Sequence, residues 1–452
     1  MAGTQGQDEA AASVSMDEIR AETEETTDLT AAAIEVPPQL VAGSVGEYFR
    51  AWWVRVRGGD AGVLPVVFAL AMVTIVFAVV SPNNVFLSPA NLVNLFDQSA
   101  VFIVLAMAEG FVLLLGEIDL STGYVAAVGG IVAANLVQSN MGWPWWAAIA
   151  AALLVCAVIG AIDGIVITRL RLPSFVVTLA GYLLWFGVMI ILLGPAGGVS
   201  ITSTQSQDQE VLNGIVNSNI PPLVSWIGLV ALVLVFGGFL YHRDSSRRRS
   251  GLVARPLGLT LLVIAFFAVA GVAVVGISNI NRGRFLPIEG VPWVVPIVLV
   301  VLVAWTILLE QTEFGRHVYA VGGNPEAARR AGINVANVRT WAFVLCSFTA
   351  GIAGIIYSST QGGMTTNVNG GQYVLYAVAA AVIGGTSLFG GRGRAIHGVL
   401  GGIVIGAIYN GLYLLGFPVQ WQLIATGLVL LAAVVVDALS RRGADTGVLV
   451  KA

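Results

Sequence analysis

The chain has 452 residues, of which 57% are hydrophobic and 10% charged, with a mean hydropathy of +0.87. An ordinary soluble domain carries about 25% charged residues, so these figures exclude a soluble globular protein, a disordered chain and a disulfide-rich secreted scaffold. They describe a polytopic membrane protein, and the formal net charge of −3 is the sum of two opposite parts.

Residues 1–47 hold ten acids, Asp8, Glu9, Asp17, Glu18, Glu22, Glu24, Glu25, Asp28, Glu35 and Glu47, and one base, Arg20. The tail therefore carries −9 and the remainder +6. With no aromatic residue before Tyr48, the tail has too little apolar surface to fold alone and reads as a disordered acidic cytoplasmic extension ending near Pro37-Pro38. It lacks the basic and apolar regions of a signal peptide. It fits a solvated extension or a partner-binding tail.

Twelve apolar runs follow, at 63–80, 92–115, 122–138, 145–168, 174–194, 222–241, 257–277, 292–309, 340–358, 372–388, 396–415 and 420–438. A spanning helix needs about 20 apolar residues, and in lipid the backbone must satisfy its own hydrogen bonds. The expectation is an all-α polytopic membrane domain over 48–452 with about 12 transmembrane helices. The runs at 122–138 and 372–388 are short and glycine-rich and are the weakest spans.

Within the second run lies Glu109. Directly after it, Gly116-Glu117-Ile118-Asp119-Leu120-Ser121-Thr122-Gly123 joins two apolar runs with two carboxylates and no loop length. Carboxylates at membrane depth are costly and usually face a cavity or a partner, and the flanking glycines permit a sharp reversal or a broken helix. The other reading is a tight cytoplasmic turn with solvated acids. Asp163 and Asn410 are polar positions inside later runs. Each fits either a polar pathway or a helix-packing hydrogen bonder, and the second suits Asn410 better. Cys156 and Cys346, both inside apolar runs, read as buried structural thiols. Small-residue spacings such as Gly351/Gly354 and Gly402/Gly406 read as tight helix packing. Gly-Gly-Ile-Val at 129–132 and again at 401–404, each near a glycine-rich joint, hints at an internal repeat.

If the N-terminus is cytoplasmic, the even helix count places 19 Arg and Lys residues of the body on the cytoplasmic side. Only Arg282 and Arg284 fall outside. That asymmetry supports cytoplasmic N- and C-termini. The largest cytoplasmic loop, 310–339, contains a complete short-helix signature. Asn324 is the N-cap, Pro325 the first helical residue, Glu326 an acid at the positive end, Arg329 and Arg330 bases at the negative end, and Gly332 the left-handed stop, with Ala327 and Ala328 between. A helix this short is unstable alone, so packing must hold it. It is either an ordinary capped loop helix or a docking plug for a partner protein.

The single lysine, Lys451, stands at the extreme end of the chain. A P-loop needs GxxxxGK[ST], which this sequence does not contain. No Ser/His/Asp or metal constellation is present either, which argues against an enzyme.

The set of motifs resembles a known family. The glycine-flanked Glu117-Ile118-Asp119-Leu120-Ser121 is similar to the signature of bacterial ABC sugar-importer permeases of the ribose/xylose/galactoside group. So are Arg171-Leu172-Pro173-Ser174-Phe175-Val176-Val177-Thr178-Leu179, Phe314-Gly315-Arg316 leading into Gly322-Gly323-Asn324-Pro325-Glu326-Ala327-Ala328, and the segment 383–393. Glu117, where many members have glycine, is most like the xylose-type branch. Asp163 stands where relatives commonly have asparagine. The resemblance implies a multi-pass permease of the bacterial cytoplasmic membrane with about ten core helices, leaving 222–277 and its Arg247-Arg248-Arg249 turn as an inserted hairpin. It implies a second copy of the permease, an ABC ATPase subunit, an extracytoplasmic sugar-binding protein and membrane lipid as partners, and no nucleic acid. ATP and Mg would sit on the partner ATPase, with no cofactor or metal on this chain. Residues 324–329 with Gly332 would form the coupling element. Glu109, Glu117, Asp119, Ser121, Asp163 and Asn410 are the candidate pathway residues. The competing expectation is an ion-coupled secondary transporter that uses the intramembrane carboxylates.

Overall fold

The structure is a computed structural model that describes residues 45–57, 62–202, 206–251, 254–283, 285–431 and 435. In chain order, α1 (Val45–Arg57) precedes α2 (Leu64–Val80), and a 3-10 segment, Pro82–Leu87, leads into α3 (Pro89–Leu113). Next come α4 (Thr122–Leu136), α5 (Trp145–Arg169), α6 (Ser174–Leu193), β1 (Gly198–Ser200), α7 (Gln207–Asn217) and β2 (Asn219–Ile220). The hairpin α8 (Pro222–Arg249) and α9 (Leu257–Ser278) is followed by β3 (Val291–Pro292), α10 (Val294–Gln311), α11 (Glu313–Gly323) and α12 (Pro325–Arg330). The chain continues through α13 (Val335–Gln361), β4 (Gly363–Thr365), α14 (Gly370–Gly384), α15 (Ala395–Leu414) and α16 (Val419–Leu431).

Among the described residues, each apolar run of the sequence contributes a helix, the last of them seen over Val419–Leu431. Eight of them, α3, α5, α6, α8, α9, α10, α13 and α15, are long and apolar enough to cross a membrane. The helices α2, α4, α14 and α16 are apolar but shorter. The acidic tail falls outside the described residues except at 45–47, which open α1. The all-α expectation needs one correction. Two short antiparallel pairs, β1 with β4 and β2 with β3, stitch loops together. The segment 195–221, between two of the apolar runs, carries α7. That helix is anchored because Val216 N–H donates to Ser359 Oγ at 2.9 Å and Ser359 Oγ donates to the Asn213 carbonyl at 2.7 Å.

The chain divides into two compact units. The first takes in α1 and residues 232–268 of the hairpin. It includes an edge-to-face pair, Phe236 with Phe267, and a buried hydrogen bond from Thr260 Oγ1 to Asp244 Oδ2 at 2.9 Å. Helix α8 runs eight residues past its apolar stretch to Arg249, since three arginines in the last turn suit the negative end of a helix.

The second unit holds the remaining helices around α3, α13 and α15. These three are far more buried than α8 or α9. Glycine lets their backbones meet. A Cβ on Gly354 of α13 would lie 1.8 Å from the Ala126 carbonyl oxygen of α4, and one on Gly402 of α15 would press on Ile103 of α3. Without a hydrophobic drive between helices in lipid, this close packing is what holds them. Cys156 and Cys346 are free and fully buried.

Candidate functional site

Helix α3 ends early because Gly116 adopts φ +75°. Glu117 N–H then folds back onto the Val112 carbonyl at 3.0 Å. The chain runs without regular structure through Glu117-Ile118-Asp119 before α4 begins at Thr122. Asp119 organises this break. Its Oδ1 accepts from Ser121 N–H at 2.9 Å and from the Ser121 hydroxyl at 2.6 Å, while Thr122 Oγ1 donates to its carbonyl at 2.9 Å. Asp119 is fully buried, so the reading of a solvated cytoplasmic turn does not hold for it.

Three carboxylates converge here. Glu109 comes from α3, Asp119 from the break and Asp163 from α5. Glu109 and Asp119 are 0% exposed and Asp163 4%. Asp119 acts electrostatically on both Glu109 and Asp163. The Ser121 hydroxyl, committed to Asp119, lies 3.5 Å from Asp163 Oδ2. Among the described residues, neither Glu109 oxygen nor Asp119 Oδ2 has a partner within hydrogen-bonding geometry. None of the three is in an ion pair among the described residues. Buried charge without a partner is strongly unfavourable, so the free oxygens of this cluster can take up a proton or accept hydrogen bonds from hydroxyl groups. Thr122 and Cys346 border it, their side chains 3.7 Å apart.

Glu117 is separated from that cluster and forms an ion pair with Arg339 at the start of α13. Asn410 is also elsewhere. Its Oδ1 accepts from Asn91 Nδ2 at 2.9 Å and its Nδ2 donates to Gln98 Oε1 at 3.2 Å, which ties α15 to α3. It sits where a helix-packing hydrogen bonder belongs.

The second glycine-rich joint, between α14 and α15, lies against the first. Gly391 N–H donates to the Leu114 carbonyl at 2.9 Å. A Cβ at Gly322, near the end of α11, would sit 1.8 Å from that same oxygen. Tyr319 Oη of α11 donates to the Gly393 carbonyl at 2.8 Å, and Arg394 pairs with Glu310 at 3.4 Å. Burial, reinforced by Glu310, holds the Tyr319 phenol above its ordinary value.

Helix α12 is capped as its sequence dictates. Asn324 Oδ1 accepts from Glu326 N–H at 3.1 Å and Ala327 N–H at 3.0 Å, and Pro325 occupies the first turn. Ile333 N–H reaches the Ala328 carbonyl and Gly332 N–H the Arg329 carbonyl, both at 3.0 Å, closing the left-handed stop at Gly332. Glu326 pairs with Arg329 at 2.8 Å and Arg330 at 3.4 Å. Only Ala328 is buried, in an apolar cluster with Leu114, Val318, Val321 and Val338. The rest of 324–332 is exposed.

Sequence reasoning missed the partners that come from distant segments: Arg339, Cys346, Tyr319 and Glu310. It also missed an aromatic group in which Phe102 contacts Tyr373, Tyr376 and Tyr409, and Tyr357 contacts Tyr373. The one sequence signal for that group is the Tyr373/Tyr376 spacing of three, which puts both rings on one face of α14.

A bundle of apolar helices enclosing carboxylates at a broken helix, with a capped helix presented outside it, defines an integral multi-pass membrane protein of permease type. The family model described as "Branched-chain amino acid transport system / permease component" matches residues 91–434, and the chain belongs to that family. It is 32% identical over 378 residues to the xylose transport system permease protein of Escherichia coli strain K12, covering 83% of this chain and 92% of that one. It is 31% identical to the Haemophilus influenzae protein of the same name, over 86% of this chain and 99% of that one. It is also 31% identical to the ribose import permease protein of Escherichia coli strain K12, over 88% and 98%. These relatives bear out the family resemblance carried by the motifs. No solved structure matches the chain.

Proposed function

We propose that this chain is the membrane-spanning permease subunit of an ATP-binding-cassette importer that carries a sugar, with a pentose such as xylose favoured, across the bacterial cytoplasmic membrane. The observation that carries the reading is the alignment with a xylose transport system permease over 83% of this chain and 92% of that protein. The exposed, doubly capped α12 supports it as the element that meets a separate ATPase. Energy comes from that partner, which holds ATP and Mg, because the lone lysine at 451 leaves this chain without a P-loop lysine. A second copy of the permease and an extracytoplasmic sugar-binding protein complete the assembly, with about 12 crossings and both termini cytoplasmic. ATP binding closes the ATPase pair, α12 moves, and the pathway alternates between outward and inward openings. Within the pathway Glu109, Asp119 and Asp163 accept hydrogen bonds from sugar hydroxyls.

Reconstitution with and without the ATPase and binding protein tests this. Labelled xylose should accumulate only with all components and ATP, and the permease alone should hydrolyse no ATP. Robust accumulation without the ATPase would overturn it. One observation favours a second reading, ion-coupled transport: both Glu109 oxygens are buried with no hydrogen-bond partner among the described residues. A proton-gradient-driven uptake that is independent of the ATPase and lost in Glu109→Gln would select that reading.

A further inference from the structure

The turn of the α8/α9 hairpin takes no part in the transport reading above, and it has an unusual charge content. Between Glu210 and Glu289 the chain holds one acid, Asp244, and the stretch 241–256 holds five arginines and His242. The acid is removed from the surface. Asp244 is 3% exposed, and its carboxylate accepts from Thr260 Oγ1 at 2.9 Å and Arg243 Nε at 3.2 Å. Arg248 Nη1 donates to the Arg255 carbonyl at 2.7 Å and folds the turn back on the last turn of α8. Arg247 and Arg249 are exposed and have no ion-pair partner among the described residues.

The residues on either side of this cluster fix its depth. Leu234, Val235, Phe236 and Phe239 of α8, and Leu261, Leu262 and Phe266 of α9, are exposed apolar side chains. Only 17% of the apolar window of α8 and 11% of that of α9 is buried. In a membrane protein such faces meet acyl chains. Tyr241, half exposed, stands between the apolar stretch and the basic turn, as aromatic residues do at the membrane surface. The guanidinium groups of Arg247 and Arg249 therefore lie at headgroup level. A planar guanidinium matches a phosphodiester geometrically as well as in charge, and basic clusters beside a spanning helix attract anionic lipid.

We propose that the basic end of α8, residues 242–249, is a binding site for anionic phospholipid headgroups, with Arg247 and Arg249 as phosphate ligands, Arg248 as the residue that ties this end to Arg255, and Asp244 as a buried acid kept out of competition. The occupant is lipid rather than free phosphate, because the apolar stretch beside the arginines is what places them at the membrane surface. The site is independent of the transport reading and stands whatever the chain carries.

The full chain is transferred into mixed micelles containing equal amounts of phosphatidylglycerol and phosphatidylcholine, and retained lipids are counted by native mass spectrometry. Wild type should retain phosphatidylglycerol preferentially, and retention should fall as salt rises. The Arg247→Gln/Arg249→Gln variant, which leaves the Arg248 and Asp244 contacts intact, should lose roughly tenfold or more of that preference. Arg169→Gln/Arg171→Gln, an exposed basic pair elsewhere, should keep it. Inorganic phosphate at equal ionic strength should not displace the lipid. Unchanged retention in Arg247→Gln/Arg249→Gln, equal competition by inorganic phosphate, or a change of oligomeric state in that variant with lipid retention unaltered would each overturn the proposal.

Discussion

At the scale of single residues, the Glu117–Arg339 pair joins segments 222 positions apart. The Glu117 side chain is 11% exposed and that of Arg339 30%, so removing one partner strands the other beside apolar neighbours. Arg339→Ala should lower stability by about 1–3 kcal/mol. The double exchange Glu117→Arg/Arg339→Glu should recover most of it, as read from thermal unfolding of the full chain in detergent. Independence of the two substitutions would show that the pair contributes nothing. Gly354→Val makes a second test, because its Cβ would fall 1.8 Å from the Ala126 carbonyl. Backbone cannot yield as a flexible side chain can, so a loss of about 1–3 kcal/mol or failure to fold is expected. The two acids were legible in the sequence because carboxylates stand out inside apolar runs. Their separate fates were not legible: spacing two apart along an irregular segment does not say that Asp119 turns into the interior while Glu117 turns to an arginine.

Among the elements, α12 is six residues long and rests on one buried side chain, Ala328. Its caps must supply what length does not, since isolated helices need about 12–15 residues. Asn324→Ala should destabilise the segment by about 1 kcal/mol. Glu326→Lys or Gly332→Val should lower sugar uptake and co-purification of the ATPase while leaving the permease in the membrane. Gly332 lies at φ +86°, where a β-branched residue is a steric outlier. Unchanged complex formation and uptake in both variants would remove the docking role from this helix. The path inward from α12 is physical and short. Its buried alanine shares an apolar cluster with Leu114, and the Leu114 carbonyl receives Gly391 N–H from the second glycine-rich joint. The helix itself was readable residue by residue, since caps are local. The attachment of its neighbours α10, α11 and α13 to the two joints was not, because Glu310, Tyr319 and Arg339 carry no mark in the sequence that points to Arg394, Gly393 and Glu117.

For the molecule as a whole, the arginine asymmetry predicts an orientation that single cysteines can test. Both native thiols are 0% exposed, so background labelling should be low. Ser250→Cys, in the basic turn, should react with an impermeant maleimide only from the cytoplasmic side, and Asn281→Cys, beyond α9, only from the outside. Labelling of both from one side would show that the hairpin does not cross. The twelve apolar runs were plain in the sequence, because the cost of unsatisfied backbone in lipid forces long apolar stretches into helices. The two short pairs of strands were not plain, since two- and three-residue strands are fixed by partners distant in sequence.

The sequence alone determined the membrane class, the helical runs, the bias of positive charge and the capped helix at 324–332. Each rests on composition or on contacts within a few residues, where chemistry acts locally. Tertiary structure alone decided that Glu109, Asp119 and Asp163 meet while Glu117 and Asn410 serve other contacts. It also brought the two glycine-rich joints together beside α11. Those outcomes depend on how close two backbones come, and glycine sets that distance only when its neighbour on another helix is known.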